Sequence, residues 1–454
     1  MMSVRYVWDN GRDVVNARWA LRRADVVGER VRLRGRPAVT NEGRMVIGHR
    51  VQLVSTIATL ELVSERGGVV VERSRASALA DVPGTGFVFG VEDPLTALQS
   101  LATAWRRELA CRVVGITGST GKTSVKDIVR AILPRRVHAS RENMNTEIGL
   151  PLTILAAEPE TEVLVLEMGM RGRGQIAELC AISEPDVGAI TNIGPVHLEL
   201  LGTIEAVAET KAEILAGLGP TDRAVVPEGE EALAPHLDDA LVTITFGPGG
   251  EVFARDWRRA GDGIEAEIAT PHGEGTFSFP FAERHNLTNA LCAVAIGVAL
   301  DLPVDEMARR APRISFSRLR GELISLPRGS VLVNDCYNAN PVSMEAALEH
   351  LASLDVAGRR IAVLGGMAEL GPEAPAYHRE AGAQARAAGV DVLVGVGDLA
   401  RDYAADEWVA DPAAAVGLVE RLLGEGDAIL VKGSRAVGLE AFTEGLTARV
   451  GVSS

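Results

Sequence analysis

The stretch "VVGITGSTGKTSVKDIV", Val113 to Val129, passes from apolar residues through small residues and glycines to Gly-Lys-Thr and then to a helical pattern. A strand, a glycine-rich turn and a helix in that order can aim backbone N–H groups at phosphate oxygens. Gly118 and Gly121 give the turn its freedom, and Thr117, Ser119 and Thr120 complete it. Lys122 offers a point charge to the β- and γ-phosphates of a nucleotide, and the Thr123 hydroxyl can hold Mg²⁺. The usual phosphate loop carries a further glycine five residues before Gly121. Ile116 stands there instead.

Other residues that could do chemistry sit at the ends of apolar runs. Glu167 closes the strand-like "VLEMGM", at the edge where open α/β sheets place ligands, and its carboxylate could bind Mg²⁺ beside the loop. His197 follows another strand end in "TNIGPVHLELLGT", although a lone histidine is more often structural. Lys211, in "AVAETKAEIL", reads on spacing alone as a surface lysine. "VNDCYNANPVSM" ends a strand at Asp335 and sets Tyr337, Asn338 and Asn340 ahead of a helix opened by Pro341. The same composition also fits an Asn-rich turn. "LVKGSRA" places Lys432 and Ser434 at a further strand end. Polar strand-end loops in two separate halves of the chain suggest a reaction in the cleft between them.

The elements that must position these residues follow from periodicity. From "CRVVGITG" onward, β-branched runs such as "TEVLVLEMG", "VGAITNIG" and "RAVVPEG" alternate with helical segments, the pattern of a parallel sheet covered on both faces. Polar β-like residues 251–281 interrupt it, and a helix resumes at "RHNLTNALCAVAIGVAL". A second alternating set contains "SVLVNDCY", "RRIAVLGGM", "DVLVGVG" and "AILVKGS". Before these, Asp93 can cap a helix whose first turn takes Pro94 and whose one face carries Leu95, Leu98, Leu101 and Trp105. Residues 1–85 read as short strands; within them "VVGERVRL" and "VIGHRVQL" are alike, which reads as chance. The expected fold class is therefore α/β with three parts: a β-rich region 1–85, an ATPase-like domain 86–312 and a Rossmann-like domain 313–454.

Composition narrows the classes. The formal net charge of -15 argues against a nucleic-acid binder, which would carry a basic face. Cys111, Cys180, Cys292 and Cys336 show no CxxC spacing, so they read as reduced thiols of a cytoplasmic protein. No apolar run reaches the length of about 18 residues that a spanning helix needs, and "MMSVRYVWDNGRD" has no signal-peptide core.

Taken together with "ENMNTEIGLPLTIL", "RHNLTNAL" and "GGMAELG", and in this order, these stretches resemble the Mur ligase family over residues 86–450. Its phosphate loop has the form TG-small-x-GKT, which "TGSTGKT" fits and which accounts for Ile116. "YNANP" and "MAELG" resemble the members that add D-alanyl-D-alanine, and the Asp-Asn-Pro-Arg motif of the diaminopimelate-adding relative is absent. The resemblance implies an ATP- and Mg²⁺-dependent amide ligase working through an acyl phosphate on UDP-N-acetylmuramoyl tripeptide and D-alanyl-D-alanine. It implies a cytoplasmic monomer without nucleic-acid partner or stable membrane insertion. It implies that Lys122 and the loop hold phosphates, that Thr123, Glu167, His197 and a carbamylated Lys211 hold Mg²⁺, and that Asn286 lies on the adenine side. Arg320 would reach back to the nucleotide; Asp335, Tyr337, Asn338 and Asn340 would line the nucleotide and dipeptide side; Asn143, Asn145 and Thr146 would face the muramoyl peptide. The family's uridine-binding domain usually carries Asp-Ser-Arg and Asp-Gly-His stretches, and residues 1–85 have neither. That departure keeps open a related ligase acting on a different carboxylate. A nucleotide-binding scaffold without turnover is weighed against by the complete set Lys122, Glu167, His197 and Lys211.

Overall fold

The computed structural model describes residues 90–141 and 143–453 with their side chains, and residues 1–89 only as the backbone of strands. Strands β1 (Val4–Trp8), β2 (Gly11–Val15), β3 (Val31–Arg34), β4 (Val51–Ser55) and β5 (Leu60–Ser64) form one sheet in the order β2-β1-β3-β4-β5. β3 and β4 are parallel, with Val31 opposite Val51 and Leu33 opposite Leu53. The two similar octapeptides thus end in paired strands at matching positions, and their likeness has a structural counterpart. β6 (Gly68–Glu72) pairs in parallel with β7 (Phe87–Val91). The position of the uridine-substrate domain, read onto residues 1–85, otherwise lies outside the described residues.

Asp93 caps α1 (Pro94–Glu108) as its sequence requires, accepting from the N–H groups of Leu95 and Thr96. Ala97, Leu98, Ala102 and Trp105 turn inward. They pack into the core of a six-stranded sheet formed by β8 (Arg112–Thr117), β9 (Val137–Ala139), β10 (Val163–Glu167), β11 (Val187–Ile190), β12 (Arg223–Pro227) and β13 (Val242–Phe246). The order is β13-β12-β11-β8-β10-β9 and every pairing is parallel. Such strands must be apolar on both faces; Val113, Val114 and Ile116 of β8 have no exposed surface. One face is covered by α1, α3 (Gly149–Ala156), α4 (Gln175–Ser183) and α6 (Ile204–Ala216), with the short α5 (Leu198–Leu201) before α6. The other face is covered by α2 (Lys122–Ile132) and α7 (Arg284–Ala299). The interrupting residues form antiparallel β14 (Phe253–Ala260), β15 (Gly263–Thr270) and β16 (Gly273–Phe279), whose apolar side joins the α2–α7 core together with α8 (Val304–Arg310).

The second sheet contains β17 (Glu322–Ser325), β18 (Val331–Asp335), β19 (Arg360–Gly365), β20 (Val392–Val396), β21 (Glu407–Val409) and β22 (Ala428–Lys432), ordered β17-β18-β22-β19-β20-β21. β17 is an antiparallel edge and the rest are parallel. α9 (Pro341–Ser353), α10 (Ala374–Ala387), α11 (Pro412–Leu422) and α12 (Glu440–Val450) cover it. Between the sheets, Ile314 and Phe316 pack into the central core, and Asp127 of α2 accepts from the N–H and hydroxyl of Ser317. The packing of the central unit therefore runs a few residues past 312. Leu319 and Gly321 both adopt left-handed backbone, φ 64° and 74°, on either side of Arg320. Among the described residues no helix is long and apolar enough to cross a membrane, and the four cysteines are free and buried.

The start of β22 is pinned by Asp427, 2% exposed, which accepts from the N–H groups of Arg359 and Gly424 and from the Arg359 guanidinium. Burial pushes the carboxyl pKa up, but these donors outweigh it and hold the value below the ordinary aspartate range. Asp427→Ala strands those donors, and its expected loss of stability at neutral pH is about 1–3 kcal/mol. Urea unfolding of parent and variant measures it; a loss under about 0.5 kcal/mol, the range of ordinary surface changes, would show that the anchor is dispensable.

Candidate active site

β10 and β11 flank β8 in the sheet, so the loops after three neighbouring strands open on one edge. The β8–α2 turn is shaped by its contacts. Gly118, φ 149°, lies so close to β11 that a Cβ there would stand 1.8 Å from Thr191 Oγ1. Gly121, φ 77°, occupies the N-cap of α2, and a Cβ there would stand 2.3 Å from Asn289 Oδ1. The turn after β11 braces the loop from the side. Ser119 N–H donates to the Asn192 carbonyl (3.0 Å), Thr120 N–H to Asn192 Oδ1 (2.9 Å), and Gly194 N–H to Ser119 Oγ (2.9 Å). No side chain caps the α2 N-terminus, so its first N–H groups and positive end point to the cleft, as an anion site requires.

The sequence-selected charged groups converge here. Glu167 at the end of β10 is 3% exposed; it accepts from the Thr123 hydroxyl (2.8 Å) and from Asn145 Nδ2 (2.8 Å), and its N–H donates to Ser140 Oγ (3.1 Å). Arg320 crosses from the second sheet's side to within 3.2 Å of Thr123 Oγ1 and stacks on Tyr337, 4.1 Å from its ring centre. Lys122 Nζ donates to the Gly118 carbonyl (2.6 Å); burial lowers its pKa, against the pull of Glu167 and with that of Arg320. Lys211 is not the surface lysine that spacing suggests. It is 2% exposed on α6, because that helix lies against the sheet over its middle. Burial first, and then the charge of Lys122, hold its amine well below the ordinary lysine range. His197, φ 55°, precedes α5 and bonds through Nδ1 to Glu369. Burial lowers its pKa, partly opposed by that carboxylate.

The remaining selected residues surround the same space, a cleft of 1140 Å³ lined by Ser119 to Thr123, Asn143, Asn145, Thr146, Glu167, His197, Lys211, Asn286, Arg320, Asp335, Tyr337, Asn338 and Asn340. Thr117 is buried beneath the loop with its hydroxyl unbonded, and Gly118 is pressed on Thr191; neither lines the cleft. Several residues hold a structural partner first. Asn340 caps α9 and reaches Ser119 O (3.4 Å). Asp335 pairs with buried Lys432 at 2.5 Å. Thr146 Oγ1 accepts from Gly149 N–H (3.4 Å), and Asn286 accepts from Asn289 (3.0 Å). Sequence reasoning assigned no role to Asn192, Asn289, Ser140 or Glu369. Asn192 and Glu369 stand inside quoted motifs, but their partners are 72 and 172 residues away.

A hard divalent cation fits this donor set. Among the described residues no three His, Cys, Asp or Glu side chains stand together as a ready metal cage. Mg²⁺ does not need one: it takes one or two carboxylates plus phosphate oxygens and water, and Glu167 beside Thr123 and the phosphate loop supplies that arrangement.

Comparison with known proteins agrees with this geometry. The Mur ligase middle domain matches residues 116–297, and the Mur ligase, glutamate ligase domain matches residues 319–435. The chain is 36% identical over 378 residues to the UDP-N-acetylmuramoyl-tripeptide–D-alanyl-D-alanine ligase of Bacillus subtilis, covering 80% of this chain and 82% of that one. It is 33% identical to the ligase of the same name from Escherichia coli, covering 78% and 81%. Among solved structures it resembles the MurF ligase of Thermotoga maritima in complex with ADP, with a TM-score of 0.77, 28% identity and coverage of 86% and 96%. Parallel sheets, phosphate loop and ordered matches lead to one conclusion: the chain belongs to the Mur ligase family.

Proposed function

We propose that this chain joins D-alanyl-D-alanine to UDP-N-acetylmuramoyl tripeptide at the expense of ATP, in peptidoglycan precursor synthesis. The observation that carries the reading is the single cleft in which Lys122, Thr123, Glu167, His197, Lys211 and Arg320 meet, in a chain whose relatives bear that activity in their names. The tripeptide carboxylate attacks the γ-phosphorus of ATP, forming an acyl phosphate and releasing ADP. The dipeptide amine then attacks the acyl carbon, phosphate leaves, and the amine proton is lost.

Charge accumulates on transferring oxygens, so fixed donors and cations carry the catalysis. The loop N–H groups that Asn192 does not occupy, those of Gly121 and Lys122, and the Lys122 ammonium hold the phosphates. Thr123, Glu167, His197 and Lys211 as its carbamate would hold Mg²⁺, which when bound neutralises phosphate charge. Burial pushes the Lys211 amine toward its neutral form, the form that adds to CO₂, and the carbamate produced places a negative charge beside Lys122. Asn286 serves the adenine side, with Arg320 reaching the nucleotide from the other domain. Asp335, Tyr337, Asn338 and Asn340 bound the nucleotide and dipeptide side; Asn143, Asn145 and Thr146 face the muramoyl peptide. The domains are assigned to residues 1–85, 86–312 and 313–454, in a cytoplasmic monomer.

The test of the function is a phosphate-release assay with ATP, Mg²⁺, UDP-muramoyl tripeptide and D-alanyl-D-alanine, each omitted in turn. Release that requires all four is expected; no release from this set, in protein that binds ATP, would reject this substrate pair. In the same assay Lys122→Ala should lose about 10²–10³-fold in turnover or more, as removal of one fixed charge-stabilising donor does elsewhere. Activity within a few-fold of the parent would refute the role given to Lys122. Lys211→Ala should be inactive at any bicarbonate concentration while Lys211→Glu keeps part of the activity, and ¹³C-bicarbonate should give a carbamate signal in the parent alone. An active Lys211→Ala protein would remove the carbamate.

A further inference from the structure

We propose that Glu369 is a positioning residue: its carboxylate, reaching from the C-terminal domain, accepts a hydrogen bond from His197 Nδ1–H and fixes the imidazole tautomer whose Nε2 is free to bind a cation. The inference rests on the reading of His197 as a metal ligand given above.

The contact between the two residues is built from both sides. Glu369 bonds His197 through its carboxylate, and its carbonyl accepts from the N–H of Glu199 at 3.2 Å. Both His197 and Glu369 adopt left-handed backbone, φ 55° and 63°. Neither is glycine, so each conformation is sustained only because its surroundings over-determine it. Gly371, φ 63°, lies against α5, where a Cβ would stand 3.2 Å from Glu199 Cα. Arg171 Nε stands 3.7 Å from the other Glu369 oxygen.

The chemical consequence follows from the imidazole. Which ring nitrogen carries the proton is set by the hydrogen bond that the other atom makes. A carboxylate on Nδ1 selects Nδ1–H and leaves the Nε2 lone pair available, and such outer carboxylates also raise the basicity of the ligand. Here the carboxylate belongs to a different domain from the histidine. The orientation of His197 is therefore coupled to apposition of the two domains, and cation binding becomes strong only when the cleft that must exclude water has been assembled.

The experiment combines ¹⁵N-histidine NMR with titration of Mg²⁺ against a non-hydrolysable ATP analogue, in parent, Glu369→Ala and Glu369→Gln proteins. The His197 signals are assigned by their loss in His197→Gln. The parent should show Nδ1 protonated and Nε2 bare; Glu369→Ala should move the proton toward Nε2, and Glu369→Gln, whose amide oxygen still accepts, should retain the parental pattern. The Mg²⁺ concentration at half-maximal analogue binding should rise about tenfold in Glu369→Ala and stay within about threefold of the parent in Glu369→Gln. An unchanged tautomer in Glu369→Ala, with or without weaker Mg²⁺ binding, overturns the proposal, as does an unchanged Mg²⁺ requirement. Failure of the parent itself to bind the nucleotide with Mg²⁺ would instead remove the functional reading beneath it.

Discussion

Two buried amines cannot both stay charged side by side without anions to meet them. Lys122 and Lys211 are in this position: burial depresses both pKa values, and the charge of Lys122 further lowers that of Lys211. Arg320 adds a further cation beside Lys122, and Glu167 an adjacent carboxylate. Lys122 and Arg320 thus set positive charge at the phosphate-loop edge of the cleft, in a chain whose formal net charge is -15. That polarity fits phosphate groups, because desolvated cations gain most from an anion placed among them. The parallel sheet, the uncapped helix end and the glycine turn all serve to hold backbone donors and these side chains at one edge.

Much of this was legible in the sequence. The parallel sheets follow from β-branched runs that had to be buried on both faces, and β8, β10, β11 and β22 end where those runs end. Asp93 and Asn340 announced their helices because a short acceptor side chain followed by proline is a local signal. The phosphate loop was recognisable despite Ile116, since strand, glycines and Gly-Lys-Thr stood in the right order. What escaped is what depends on contact between distant segments. Lys211 has the spacing of a surface residue, and only the docking of α6 on the sheet buries it. Asn192 reads as part of a turn; its role as a brace exists because β11 lies next to β8. Glu369 is four residues past the end of β19 and gains its partner only through the packing of one domain on another.

The contacts between the domains fall on the functional residues themselves rather than on the rim around them. Arg320 meets Thr123, Asn340 meets Ser119, and Glu369 meets His197, across 197, 221 and 172 residues of chain. Each partner on the central side belongs to the phosphate loop or to the proposed cation ligands. A domain that merely covered the cleft would keep water out but leave the loop unchanged. One that bonds to the loop also alters the hydrogen bonds available to the nucleotide. Leu319 and Gly321, both left-handed, bracket Arg320 at the junction between the domains, and Ser317 fastens that junction to Asp127 on the helix that begins with Lys122. Phosphate binding and domain position are then linked through one helix. For the proposed reaction, whose acyl phosphate is water-sensitive, that linkage has a direct use: the groups assigned to the transferring phosphate come from both sides of the cleft.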